Sequence, residues 1–342
     1  MANKRRTDSS SAGRHQRQRQ ETRQNRTNNT QNQRRRKSAP KRSPWLLLGG
    51  VVILIALVIG FFVFLSNQSN PTSTPKSGLA DAATFKAVTS VDPGVLSTVG
   101  TGGVANPFSK VQPNEPVTKG PTGKPQVFYY GAEWCPLCAA ERWSITVAMS
   151  RFGTFKSLKE NASASNDSYP STSTFTFYPN TYSSSYIDFV PLEHEDSQHN
   201  VLQTPTTDQQ QILTRYNVGG YPFMDIGDRY ILTNASYDPT VLRSNPQDQN
   251  STPLSQQDIA TQLANENQLS KDILGTANYL TAATCALTNN QPATVCSDAT
   301  IQKIETSLSS GTKSGATVGG SAQATIGGGA PVEDVWRRWR GL

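Results

Sequence analysis

Gln126-Val127-Phe128-Tyr129-Tyr130-Gly131-Ala132-Glu133-Trp134-Cys135-Pro136-Leu137-Cys138 decides how this chain is read. Its opening residues are aromatic and β-branched and lie between Gly123 and Gly131, the pattern of a short buried strand. From Ala139 to about Phe152 the apolar positions Trp143, Ile145, Val147 and Ala148, with no Gly or Pro between, favour a helix. The local unit is therefore strand, Cys-x-x-Cys, helix. A thiol attacks only as thiolate, and the dipole and free N–H groups of a helix N-terminus favour that form. Cys135 takes this position. Cys138, one turn later, is placed to attack a mixed disulfide on Cys135 and release its partner. Pro136 is tolerated because the first turn needs no N–H there, and Trp134 is expected to cover one side of the exposed sulfur.

Taken alone, the motif also fits half of a zinc site or a structural bridge. Zinc requires two more ligands at matching spacing. The remaining cysteines, Cys285 and Cys296, begin 147 residues after Cys138 and have ten residues between them, and His194 and His199 supply no ligand pair beside them. A redox pair without metal or other cofactor is the preferred reading. Cys285 and Cys296 read as a structural disulfide closing a short loop. A second redox relay is the alternative, with no active-site turn around it.

Outward toward the N-terminus, Trp45 to Leu65 is an uninterrupted run of 21 residues without a charge. As a helix rising 1.5 Å per residue, it spans a hydrocarbon core about 30 Å thick. Residues 1–44 before it carry 14 Lys or Arg against Asp8 and Glu21, a net of +12. Too polar to pack, they read as a disordered tail held in the cytoplasm by the positive-inside rule. That orientation sends the rest of the chain across the membrane, where disulfides are permitted. A cleaved signal peptide is the alternative, but the apolar run exceeds a signal core and the basic stretch is too long.

The whole chain of 342 residues has a formal net charge of +7, which invites a nucleic-acid reading. Since the first 44 residues hold +12, the remainder sums to 7 − 12 = −5. The part able to fold is mildly acidic, and no nucleic-acid partner is expected.

Residues 66–78 form a polar Ser/Thr/Pro linker, 79–309 the one segment able to build a core, and 310–342 a Gly/Ser-rich flexible tail. Within 79–309 a short helix is expected near Asp92 to Leu96, and strands over Thr174–Tyr178 and Tyr186–Val190. Thr207-Asp208 is read as the N-cap of a helix. Strands on either side of a two-residue Gly227-Asp228 hairpin follow, then helices over 254–309 that begin at a Ser255/Asp258 capping pair. Glu193-His194-Glu195-Asp196 with His199 reads as a solvated loop, with metal binding as its alternative. Trp336 to Arg340 reads as a tail, with membrane-surface contact as its alternative.

Phe128 to Cys138 resembles the active-site strand and turn of the thioredoxin superfamily. Gly131 to Trp143 and Tyr279-Leu280-Thr281-Ala282-Ala283 are similar to the membrane-anchored archaeal and bacterial family called domain of unknown function 929, over roughly 79–309. The resemblance implies an α/β, thioredoxin-like fold with an insertion and a helical C-terminal extension, behind one N-terminal transmembrane helix. It also implies a cis-proline facing the cysteine pair, at Pro222, with Tyr221 before it offering backbone hydrogen bonds to substrate and Trp134 lining the same site. Two departures stand out. The superfamily's buried acid, six residues before the first active cysteine, is here Tyr129, so proton transfer from Cys138 falls to water or a carboxylate such as Glu141. The 87 residues from Cys135 to Pro222 imply an insertion that serves as a lid or substrate surface.

The function expected is a membrane-anchored, extracytoplasmic thiol-disulfide oxidoreductase. Its partners would be exported cysteine-containing proteins, a membrane electron donor or acceptor, and the bilayer through residues 45–65. Two other classes compete: a copper-binding metallochaperone using Cys135, Cys138 and a histidine, and a non-catalytic surface module in which the cysteine pair is a permanent bridge.

Overall fold

The computed structural model describes residues 78–310. The basic tail, the apolar span 45–65, nearly all of the linker and the tail after Ser310 lie outside the described residues. Among the described residues no helix is long and apolar enough to cross a membrane.

The described chain opens with β1 (Gly78–Leu79), α1 (Ala82–Thr89) and α2 (Pro93–Val99). Asp81 and Asp92 cap these helices, each carboxylate accepting from two backbone N–H groups of the first turn. Then come β2 (Lys110–Val111), β3 (Gln126–Gly131) and α3 (Pro136–Ser150). Four strands follow: β4 (Gly153–Phe155), β5 (Lys159–Ala162), β6 (Ser173–Thr176) and β7 (Tyr182–Ser184). The chain continues through β8 (Asp188–Glu193), α4 (Thr207–Arg215), β9 (Phe223–Ile226) and β10 (Tyr230–Leu232). It closes with α5 (Gln256–Gln262), α6 (Gln268–Leu287), the short α7 (Ala293–Cys296) and α8 (Ala299–Ser309).

These elements make a mixed α/β structure with several sheets and C-terminal helices. The main sheet has the order β2-β10-β9-β3-β8. β3 runs parallel to β8 on one side and antiparallel to β9 on the other. Alternation along β3 sends Val127 and Tyr129 into the large core with Trp143 of α3 and Leu280 of α6, and Phe128 into a second cluster with Leu192, Ile212, Leu213 and Phe223. Helices thus cover both faces, which is why the strand reads as an unbroken apolar run.

Helix α3 is buried along nearly its whole length. Ser144 donates to the Ile273 carbonyl of α6 at 2.9 Å, while Thr174 of β6 donates to the Ala139 carbonyl at 2.7 Å. The segment expected as an insertion supplies β4 to β7, which form the small sheets β1-β5-β6 and β4-β7. Through Trp143, whose indole donates to the Ser173 carbonyl at 3.0 Å, the first of these sheets packs on α3.

Several expected boundaries shift, each for a local reason. The start of α3 does not shift: Cys135 is its N-cap and Pro136 its first residue, as expected. The strand expected to reach Tyr178 stops at Thr176, ahead of the cis Tyr178–Pro179 bond, and the strand expected over 186–190 runs over Asp188–Glu193 in register with β3. Thr206, not Thr207 or Asp208, caps α4, in a capping box with Gln209. The hairpin pairs Ile226 with Tyr230, so its loop holds three residues instead of two, with Gly227 and Asp228 both at positive φ. Ser255 and Asp258 do form a capping box.

Candidate functional site

Strand β3 ends at Gly131, and the turn Ala132-Glu133-Trp134 hands the chain to α3. Three backbone bonds hold the turn: His194 N to Gly131 O at 2.7 Å, Glu133 N to Glu195 O at 2.8 Å, and Ala164 N to Trp134 O at 2.8 Å. Two come from the continuation of β8 and the third from the insertion. The insertion therefore supports the cysteine turn directly.

Cys135 lies at the N-cap of α3, and its Sγ accepts from the Cys138 backbone N–H at 3.2 Å. Both cysteines are free thiols; Cys135 is 4% exposed and Cys138 fully buried. Burial opposes ionisation of Cys135, but bonds from the Cys138 side chain and backbone, with Arg142 nearby, outweigh it and bring the thiol below its ordinary range. Burial raises Cys138 well above that range, and the neighbouring Cys135 adds to the effect. The two thiols are thus made chemically unequal.

Trp134 and Tyr221 pack against the cysteines together with Leu137. The Trp134 indole meets the Tyr221 ring edge-on at 5.8 Å, and Tyr221 lies 4.9 Å from Tyr130. The Tyr221–Pro222 bond is cis, and Phe223 after it pairs with Tyr130 of β3, which carries Tyr221 to the cysteine turn. Cys285 and Cys296 form a disulfide between α6 and α7, away from the cysteine turn in sequence and buried.

The stretch from Glu193 to His199, expected as a solvated loop, instead forms a wall of the site. Glu195 accepts from the Trp134 indole at 2.6 Å, the His199 ring stacks on that indole at 4.5 Å, and His194 approaches Tyr130 at 5.8 Å. His199 holds a φ of 65°, in the left-handed region, to reach this position. Among the described residues no group of three or more His, Cys, Asp or Glu side chains comes together as a metal-binding set.

Tyr129 is fully buried, its hydroxyl has no hydrogen-bond partner, and burial above all raises its pKa far above normal. It remains protonated and serves as no base. Glu141, expected as a substitute acid, is engaged elsewhere: it accepts from Ser236 N at 2.9 Å and Ser236 Oγ at 3.0 Å. Sequence reasoning missed the pair that does sit behind the turn, Arg142 and Glu193, joined at 2.6 Å with both side chains fully buried. Fifty-one residues separate them, and no periodicity links them. The one available signal was an arginine in the middle of a helix in which Glu141 is the only other charged residue.

A family model described as a domain of unknown function (DUF929) matches residues 108–286, more than half of the chain. Comparison with curated proteins and with solved structures finds no match. The matched span takes in both cysteines of the turn, Arg142, Glu193 and the Tyr221–Pro222 step, so the site lies inside it. The chain belongs to the DUF929 family.

Proposed function

We propose that the described part is a thioredoxin-like domain and that the protein is a thiol-disulfide oxidoreductase anchored in the membrane by residues 45–65, acting outside the cytoplasm on exported proteins. The observation that carries the reading is the N-cap placement of Cys135, whose sulfur accepts the Cys138 N–H while both thiols remain free. A permanent structural bridge has no use for this inequality of the two sulfurs; a nucleophile and a resolving thiol require it. Strand β3, the cysteine turn, α3 and the entry to β9 at Pro222 follow the order that the superfamily resemblance implies. Cys135 attacks or is attacked, Cys138 resolves, and Trp134 and Tyr221 flank the bound chain.

The copper-carrier reading calls for a histidine beside the two thiols. His194 Nδ1 already lies 2.9 Å from the Gln203 carbonyl, the His199 ring lies tilted over Trp134 at 4.5 Å, and among the described residues no His joins the two cysteines in a metal-binding set. The redox reading is preferred on that ground. Its test is a Cys138→Ala variant of the full chain, which should accumulate mixed disulfides linked through Cys135, while the wild type should catalyse insulin reduction or thiol oxidation. Absence of both results rejects the reading.

A further inference from the structure

Arg142 and Glu193 are both fully buried, and two bonds join them: Nε to Oε1 at 2.8 Å and Nη2 to Oε2 at 2.6 Å. Nη2 also donates to the Ala132 carbonyl at 2.7 Å, and that same carbonyl accepts from the Cys135 amide at 3.3 Å. Cys135, Cys138 and Arg142 stand at i, i+3 and i+7 along α3, on one face. To reach a carbonyl that precedes the helix, the arginine runs back toward the N-terminus, the direction helical side chains take, and so passes Cys138. Glu193 occupies the Nε–Nη2 edge. Nη1, at the opposite corner, is buried with no hydrogen-bond partner. Stability gives a weak reason for such a pair, because apolar replacements of buried ion pairs are often neutral or better.

We propose that Arg142 is a positioning residue of the redox centre: a fixed buried cation behind Cys135 and Cys138 that favours their reduced form, so that the pair works as an oxidant of protein thiols. The inference rests on the thiol-disulfide reading above and gives it a direction. Burial opposes charge on both sulfurs, and Arg142 acts against that penalty at each.

In the oxidised pair, a substrate thiolate attacks Cys135 Sγ. A substrate–Cys135 S–S bond forms, the Cys135–Cys138 bond breaks, and Cys138 leaves with the electron pair and takes up a proton. A second thiolate of the substrate attacks the substrate sulfur of this mixed disulfide and expels Cys135 as thiolate. The substrate ends as a disulfide, two electrons poorer, and the pair ends as the dithiol form seen here. Its return to the disulfide requires a two-electron acceptor, a membrane oxidase of the quinone-linked class. A cation behind the turn assists both departures, since each expels a thiolate.

The test is the equilibrium of the Cys135–Cys138 pair with glutathione in the full chain, read by alkylation and peptide mass, in wild type, Glu193→Gln and Arg142→Gln/Glu193→Gln. Removing the carboxylate charge while keeping an acceptor leaves the cation unopposed. Glu193→Gln should therefore raise the oxidising equilibrium constant at least threefold. The double variant should fall at least tenfold below Glu193→Gln, about 30 mV for a two-electron couple. A purely structural role predicts no such opposition of sign. If the double variant does not fold, Glu193→Gln decides alone, and an unchanged or lowered constant overturns the inference. Should the wild type exchange with glutathione while both variants stay within threefold of it or move together, Arg142 has no such role. A wild-type pair inert to glutathione and dithiothreitol would instead defeat the thiol-disulfide reading itself, and this inference with it.

Discussion

Trp134 donates its indole N–H to Glu195 at 2.6 Å, which ties the residue before the reactive cysteine to the wall that follows β8. Glu195 in turn accepts the Glu133 amide through its backbone and lies 3.8 Å from His199 Nδ1. One carboxylate therefore fixes the indole beside Cys135, and the imidazole covers the outer face of that indole. The indole in turn packs against the cysteine pair, with Leu137 and Tyr221 beside it.

Loss of the carboxylate should free the indole. Glu195 is a quarter exposed, so the charge-assisted bond is discounted below its usual range, to about 1 kcal/mol. Glu195→Ala is expected to lower stability by that amount in urea unfolding and to speed alkylation of Cys135. Glu195→Gln, which keeps an acceptor, should lie between it and the wild type. Equal alkylation rates in all three would mean that Trp134 does not shield the sulfur.

Gly275 offers a change of sign. In a helix interior, Gly→Ala ordinarily gains about 1 kcal/mol. A Cβ at Gly275 of α6 would collide with the Thr101 carbonyl, and Asn278 clamps the same loop through the Leu96 carbonyl at 2.8 Å and the Gly100 carbonyl at 2.7 Å. Because backbone on both sides resists the shift, Gly275→Ala should destabilise by about 1–3 kcal/mol. A higher urea midpoint would show that the loop yields.

How far the sequence discloses the molecule depends on the range of each interaction. Gln126 to Cys138 is legible because a strand, a turn and a helix start are local, and β-branching, glycine and a proline at N1 each leave a mark. The start of α3 at Pro136 is among these local marks, with Cys135 as its N-cap. Strands β4, β5 and β7, only three or four residues each, look like loop until their partners are known. The same limit hid the wall of the site. Glu193 to His199 has the composition of a solvated loop, and only the parallel pairing of β8 with β3 brings it to the cysteine turn.

The Cys285–Cys296 disulfide closes a loop of 11 residues between α6 and α7. Loop entropy at that length gives about 3 kcal/mol. The paired substitution Cys285→Ala/Cys296→Ala should lower unfolding free energy by that order. Exchange at Cys135 and Cys138 should be unchanged, since the bridge contributes no atom to the site. A matching loss of exchange activity in a folded variant would assign the second disulfide to a relay.

Stability should fall as pH rises through the weakly acidic range, and Glu141 supplies part of the reason. Its carboxyl is fully buried, and burial raises its pKa from 4.5 to about 7, only partly opposed by the bonds from Ser236 N and Oγ. An acid with a raised pKa in the folded state binds its proton more tightly there than in the unfolded chain, so it favours folding below about 4.5. That contribution is lost progressively up to about 7, where the folded form must also ionise. The full loss is of order 3 kcal/mol at roughly 1.4 kcal/mol per pH unit. Asp225, buried with one carboxyl oxygen unpartnered and likewise raised to about 7, adds a parallel loss. Urea midpoints at pH 5 and pH 8 should therefore differ, with the wild type weaker at pH 8. Glu141→Gln keeps an acceptor for one Ser236 donor and cannot ionise, so its stability should drop less between the two pH values, even if it is weaker at both. Parallel drops in the two proteins would mean that water reaches Glu141 and leaves its acidity normal.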